Sequence, residues 1–146
     1  MLKKVLIVLG ISILYGCGKE PEIHTVHSLS AEIDSIVAQI SASKPLLMTA
    51  NNLEKQAGKR LSKEQKGLLL AKIKETRSSL AFVTAIIVKV TAIRDSIRLL
   101  GERTTDGAVK NGISALNARL DDITSQITEF TNVNKKLFKI EMRLTG

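Results

Sequence analysis

The side chains that could perform chemistry are few. Cys17 is the only cysteine among the 146 residues, and His24 and His27 are the only histidines. Their H-x-x-H spacing could offer two ligands to a metal, but zinc needs three or four, and no further ligands lie close by in the sequence. We therefore predict no metal site and assign both histidines to a linking segment.

The acidic residues offer no catalytic pair either. Asp121 and Asp122 are the only adjacent carboxylates. Neighbouring residues of a helix point about 100° apart, so we do not expect these two to share a proton or a metal. No glycine-rich phosphate loop occurs, and Gly107 and Gly112 suit helix termination or close packing. The pair is predicted to lie on a solvated helix face.

The first 17 residues have a distinctive pattern. Lys3 and Lys4 give a short positive start, and the next eleven residues carry no charge. A helix needs about 20 apolar residues to span a bilayer, so this run is too short, but it fits the apolar region of a secretory signal peptide. The run ends in the tetrapeptide Leu14, Tyr15, Gly16, Cys17.

This ending resembles the lipobox of bacterial lipoproteins, over about the first 20 residues. The resemblance implies that residues 1–16 are removed and that Cys17 becomes a diacylglyceryl amino terminus. Tyr15 departs from the pattern, because a small residue is usual at that place. In a Gram-negative host, Gly18 after the cysteine implies the outer membrane. The alternative is an uncleaved anchor with a free thiol.

A diacylglyceryl Cys17 has physical consequences for location and chemistry. One acyl chain binds a bilayer only reversibly, whereas two chains give stable anchoring. The acylated sulfur is unavailable as a nucleophile, and with both histidines outside the body no Ser-His or Cys-His catalysis is expected. We predict a membrane-anchored protein that is not an enzyme, has no catalytic residue and needs no cofactor beyond the acyl chains on Cys17.

Composition and periodicity predict an all-α body. Without residues 1–16 the chain has 130 residues, a formal charge of +6 rather than +8, and three aromatic side chains. We predict three segments: a signal peptide at 1–16, a lipidated cysteine with a flexible tether at 17–29, and a helical bundle at 30–146. Helix one is expected from near Ser30, helix two from Ser62 with a capping box to Gln65, and helix three from Thr105 and Asp106.

Apolar residues repeat along each helix at steps of three and four, as in a coiled coil. Pro45 interrupts helix one, and Ser43 could cap a restarted helix there. The fold expected is an elongated, antiparallel three-helix bundle, coiled-coil-like, with the first helix kinked or broken near Pro45. Helices two and three each show two consecutive steps of three, which overwinds a supercoil. The apolar seams could also pack between copies of the chain, so a homo-oligomer is an alternative. The predicted seam residues are, for helix one, Ile33, Ile36, Ile40, Leu47, Ala50, Leu53 and Ala57; for helix two, Leu69, Ile73, Thr76, Leu80, Val83, Ile87, Val90, Ile93, Ile97 and Leu100; and for helix three, Val109, Ile113, Leu116, Leu120, Ile123, Ile127, Phe130, Val133, Leu137, Ile140 and Leu144.

The segment from Leu80 to Ile93 is apolar on nearly every face. A helix that is apolar all round must be covered, so we expect it at the centre of helix two, between helices one and three. Insertion into a bilayer is the alternative, although fourteen residues that include Lys89 are short for spanning.

The most informative polar feature is a predicted basic pole. In an up-down-up bundle the turn between helices one and two lies beside the end of helix three, and this pole is expected to face away from the membrane. Such a pole suits an acidic protein, a polyanionic glycan or lipopolysaccharide phosphates. Lysines that keep a bundle soluble are the alternative, and nucleic acid is not expected, because aromatic stacking platforms are lacking. The nine residues are Lys55, Lys59, Arg60, Lys63, Lys66, Lys135, Lys136, Lys139 and Arg143.

Three functions fit these features. The favoured one is a non-enzymatic binding module at the outer membrane or cell surface, attached to the lipid bilayer through Cys17. A structural periplasmic spacer is the second, although the chain ends without the lysine through which some lipoproteins join peptidoglycan. The third is a membrane-perturbing or lysis protein that uses the segment from Leu80 to Ile93.

Overall fold

A computed structural model describes residues 19–146 of the chain. The residues of the predicted signal peptide, including Leu14, Tyr15 and Gly16, and the predicted lipidation site Cys17 lie outside this range. The described part consists of five helices: α1 (Lys19–Ser43), α2 (Pro45–Ala57), α3 (Lys63–Ser79), α4 (Phe82–Arg103) and α5 (Gly107–Thr145).

These helices divide into two compact units. Within the described range, the first unit comprises residues 19–36 and 90–122, and the second comprises residues 37–89 and 123–146. Each unit is built from three helical stretches that pack as an antiparallel bundle around the apolar seam. The prediction of an all-α, antiparallel three-helix bundle with a bend in its first helix is therefore confirmed.

The first helix begins earlier than the sequence predicted. Residues 17–29 were expected to form a flexible tether, but α1 is already helical at Lys19, and Leu29 is buried. Val26 packs against α5, where a Cβ on Gly112 would come within 2.9 Å of a Val26 methyl group. The tether prediction was wrong for this stretch, because its sparse apolar side chains find partners only on another helix.

The first helix bends at Pro45 without a gap. Lys44, between α1 and α2, keeps right-handed helical angles (φ −54°, ψ −35°), and the amide of Leu47 donates to the Lys44 carbonyl at 3.0 Å. The suggestion that Ser43 caps a restarted helix was wrong, because its hydroxyl donates to the Gln39 carbonyl at 2.8 Å instead. Proline removes one backbone donor, and a one-residue turn accommodates that loss.

Two predicted helix starts are confirmed in detail. The Ser62 hydroxyl accepts from the Gln65 amide at 3.1 Å, and the Gln65 side chain accepts from the Ser62 amide at 2.8 Å, which completes a capping box. At the start of α5, the Asp106 carboxylate accepts from the Val109 amide at 3.1 Å. These bonds satisfy backbone donors that have no partner inside their own helix.

The second helical stretch departs from the prediction at one place. Leu80 and Ala81 separate α3 from α4, and amides here donate to carbonyls three residues back, among them Ala81 to Ser78 at 3.2 Å and Thr84 to Ala81 at 3.3 Å. Such bonds tighten a helix toward three residues per turn. The seam shifts accordingly: Ile86 is 1% exposed and belongs to it, whereas the predicted Ile87 is 44% exposed.

The overwound turn at Leu80 and Ala81 lies close to α5. In the second helical stretch the consecutive steps of three run through Leu80, Val83 and Ile86, and not near Val90 as predicted. In α5, Ile127 and Phe130 are buried, whereas Val133, which completes the predicted pair of steps, is only partly buried. The rings of Phe82 and Phe130 meet edge to face, with centroids 5.5 Å apart. The start of α4 therefore packs against α5 at the level of Phe130.

The apolar segment from Leu80 to Ile93 is buried on one side. Leu80, Val83, Ile86, Val90 and Ile93 are covered, whereas the outer side, which includes Val88, is open to solvent. None of the helices described between residues 19 and 146 is sufficiently long and apolar to traverse a bilayer.

Candidate interaction surface

Charge is divided unequally between the two units. In its described residues the first unit contains six lysines and arginines against nine acidic residues, a formal net charge of −3. The second unit contains fourteen against five, a formal net charge of +9. The excess positive charge of the described chain therefore belongs to the second unit alone.

All nine residues of the predicted basic pole belong to this second unit, and all are exposed. The Arg143 guanidinium donates to the Ala57 carbonyl at 3.3 Å, which places the end of α5 beside the end of α2. Lys136 and Glu54 border the same groove between these two helices. The structure thus brings together the residues that follow α2 and those at the end of α5, as the helix order predicted.

The basic pole has almost no internal compensation. Only Glu54, Glu64 and Glu141 share these stretches with the nine cations. Within residues 19–146 none of the nine forms a salt bridge. Glu141 is already occupied, because it pairs with Arg77 of α3. The positive charge of these nine side chains is therefore not neutralised by ion pairs within the described residues.

Arg77 of α3 contacts the part of α5 that carries four of the nine cations, and sequence reasoning did not find it. Its Nε donates to Asn134 at 3.1 Å, its Nη1 pairs with Glu141, and its guanidinium carbon lies 4.7 Å from the centroid of the Phe138 ring. The three partners are spaced by four and three along α5, so they share one face. That spacing was visible in the sequence, but the arginine that contacts all three residues lies on a different helix.

A shallow groove adjoins the basic pole. It has a volume of about 310 Å³ and runs between α2 and α5, with apolar side chains at its base and charged ones at its rim. Met48, at its edge, is strongly exposed. The groove is lined by Leu47, Met48, Ala50, Asn51, Glu54, Glu129, Val133, Lys136 and Leu137.

The other residues that the sequence singled out are not gathered into a site. His24 and His27 are exposed on α1. Asp121 is exposed and accepts from Arg94 at 2.9 Å, which ties α5 to α4 in the first unit. Among residues 19–146, no group of three histidine, cysteine or acidic side chains is placed to hold a metal ion.

Comparison with known proteins adds one limited similarity. Over 117 residues the chain is 28% identical to Structural maintenance of chromosomes protein 3 of Saccharomyces cerevisiae. The match covers 77% of this chain but only 9% of that protein. Helices with a repeating apolar seam share a pattern whatever their origin, so the similarity assigns no family.

No family model matches the chain, and no solved structure matches it.

Proposed function

We propose that the protein is a non-enzymatic lipoprotein, anchored through Cys17 at the outer membrane or cell surface, which binds an acidic partner through its basic pole. The observation that carries the binding proposal is the set of nine exposed cations, none of which has an ion-pair partner in the described chain. Like charges held on one surface repel, and an external polyanion relieves that repulsion. Acidic proteins, polyanionic glycans and lipopolysaccharide phosphates all have this chemistry.

Affinity for heparin, a sulfated polyanion, tests the binding half of the proposal. We expect the full-length protein to bind heparin with an affinity that falls steeply as salt is added, because exposed charges are screened. Replacing Lys135 and Lys139 together by glutamine should weaken binding about thirtyfold, since each cation near an anionic surface contributes roughly 1 kcal/mol.

The chain offers a matched control for this test. Arg103 and Lys110 are exposed cations of the first unit, and the double glutamine variant removes the same charge from the other unit. That variant should bind heparin within about twofold of the wild type, an effect of net charge alone. Equal losses in both double variants, or binding that salt does not affect, would overturn the basic pole as the binding surface.

The mass of the mature amino terminus tests the anchoring half. In membranes of the native host we expect a chain that begins at Cys17 and carries acyl mass, which the Cys17→Ser variant lacks. A chain that begins at Met1 would withdraw the lipoprotein assignment, and Tyr15 would then explain the failure of processing. If the amino terminus is acylated, protease treatment of intact cells separates a surface protein, which is cut, from a periplasmic spacer, which is protected.

A further inference from the structure

The basic pole contains two exposed apolar side chains that a purely ionic surface does not need. Phe138 is 46% exposed and Met142 is 57% exposed, and they lie four residues apart near the end of α5. Residues three or four apart on a helix share a face. Lys135 and Lys139 therefore lie on the same face as this pair, and both are exposed.

The ring of Phe138 is held in place by the fold. Arg77 lies over it at 4.7 Å and is fixed in turn by Asn134 and Glu141. A ring positioned in this way loses less side-chain freedom when it binds, so its burial yields more affinity. Because the pairing with Arg77 occupies Glu141, that carboxylate adds little repulsion toward an anion.

We propose that the basic pole docks on an anionic lipid bilayer, with Phe138 and Met142 inserting between headgroups while Lys135 and Lys139 contact the phosphates. This proposal rests on the proposed function and narrows its partner to an anionic amphiphile. Apolar side chains flanked by cations on one helix face match the boundary of an anionic membrane, where the charged layer lies directly above acyl chains. A soluble polyanion supplies the charges but gives Phe138 and Met142 no apolar partner.

Vesicle docking in trans tests this with the full-length chain. Immobilised donor vesicles of phosphatidylcholine carry the protein through its amino-terminal segment, and fluorescent acceptor vesicles are then added. We expect acceptors made of phosphatidylglycerol and phosphatidylcholine in equal parts to be retained, and acceptors of phosphatidylcholine alone to wash away. Retention measures contact between the exposed part of the protein and a second bilayer, so the anchor itself does not contribute.

Single serine variants separate apolar insertion from charge. Met142→Ser should reduce acceptor docking about tenfold, the effect of removing one partly inserted apolar side chain, and Phe138→Ser should reduce it at least as much. Heparin affinity should stay within about twofold of the wild type in both variants, because no cation is removed. Leu99→Ser, at an exposed leucine of the first unit, is the matched control and should leave docking unchanged.

The outcomes distinguish this proposal from the one on which it rests. Docking that requires anionic lipid but is unaffected by Met142→Ser and Phe138→Ser would overturn the lipid insertion and leave the acidic partner in place. Heparin binding without any vesicle docking would have the same meaning. If the wild-type protein neither binds heparin nor docks acceptor vesicles, both proposals are overturned. Because Phe138 contacts Arg77, Phe138→Ser could also destabilise the fold, so its thermal unfolding curve must be measured. If Phe138→Ser is unfolded, the result with Met142→Ser alone decides the test.

Discussion

Each of the two units packs around an apolar seam, but they use their charged side chains in different ways. In the first unit Arg94, Arg98 and Arg119 each form an ion pair, and two of these pairs join different helices. In the second unit Arg77 forms an ion pair with Glu141, whereas the nine cations of the basic pole form none within residues 19–146. The first unit uses cations within its fold, and the second presents them to solvent.

This difference separates the charges that form ion pairs in the described chain from those that form none. Exposed ion pairs contribute about 0.2–1 kcal/mol each, so burial of the apolar seam provides most of the stability in both units. An uncompensated cluster of cations contributes no stability and costs some through repulsion. The ion pairs of the described chain therefore leave the charges of the basic pole unused, and our proposal assigns those charges to an external partner.

The largest expected effect tests whether the seam alone holds the second unit. Ile86→Asp should prevent stable folding of this unit, by more than about 4 kcal/mol, because it buries a charge at a position that is 1% exposed. Ile87→Asp, one residue further at a 44% exposed position, should cost less than about 1 kcal/mol. Urea unfolding of both variants gives the comparison. Equal losses would mean that the overwound turn does not set the register of α4.

Arg77 and Lys139 test the contrast, within the second unit, between a cation in an ion pair and a cation without one. Arg77→Leu should lower the free energy of unfolding by about 2–3 kcal/mol, because it leaves Glu141, whose side chain is 15% exposed, without its cation and uncovers the Phe138 ring. Lys139→Gln should change it by less than about 0.5 kcal/mol, since this exposed side chain forms no ion pair in the described chain. A loss with Lys139→Gln as large as with Arg77→Leu would show that the basic pole is part of the fold.

Two glycines test the packing of residues 19–29 in the first unit. Gly112→Ala should be destabilising by about 1 kcal/mol, because its Cβ would lie 2.9 Å from a methyl group of Val26, a side chain with little rotamer freedom in a helix. Gly67→Ala, on α3 of the second unit, meets no atom within 4 Å and should be stabilising by about 0.5–1 kcal/mol through helix propensity alone.

Thermal unfolding monitored by circular dichroism measures both glycine variants. We expect the unfolding temperature to fall in Gly112→Ala and to rise in Gly67→Ala. If Gly112→Ala stabilises the protein as Gly67→Ala does, the amino-terminal part of α1 does not pack against α5 in solution, and an extended tether over residues 17–29 would again be the better description.

The smallest expected effect tests whether ion pairs in the first unit contribute to stability. Arg119→Gln should cost about 0.5–1 kcal/mol, because Arg119 joins α5 to both Ser30 and Asp34 of α1. Arg98→Gln should cost only about 0.3 kcal/mol, since its pair with Glu102 lies within one helix and is largely exposed. Raising the salt concentration should reduce the difference between the two variants in urea unfolding. A difference that persists in high salt would assign the Arg119 effect to packing.

Much of the fold was predictable because it depends on local patterns. The step of three and four placed nearly every seam residue correctly, and the Ser62 capping box and the Asp106 start follow from residues within one turn of each other. That Ile86 rather than Ile87 belongs to the buried seam was not predictable in this way. Both are isoleucines in an apolar run, and only the tightened turn at Leu80 and Ala81 decides between them.

The candidate surface was predictable in composition but not in organisation. Helix order placed the nine cations at one end, since the turn after α2 must lie beside the end of α5. The role of Arg77 was beyond sequence reasoning, because its partners Asn134 and Glu141 are 57 and 64 residues away. The same holds for residues 19–29, which have no helical period of their own and become ordered against α5.

The sequence by itself determined that residues 19–146 are helical, where the first helix bends, which face of each helix is buried, and that cations are concentrated after α2 and at the end of α5. These properties depend on residues within a few turns of one another or on composition. Tertiary structure decided the start of α1, the register after the overwound turn and the ion pairs that leave the basic pole uncompensated. Each of those depends on contacts between helices distant in sequence, whose partners no local pattern can specify.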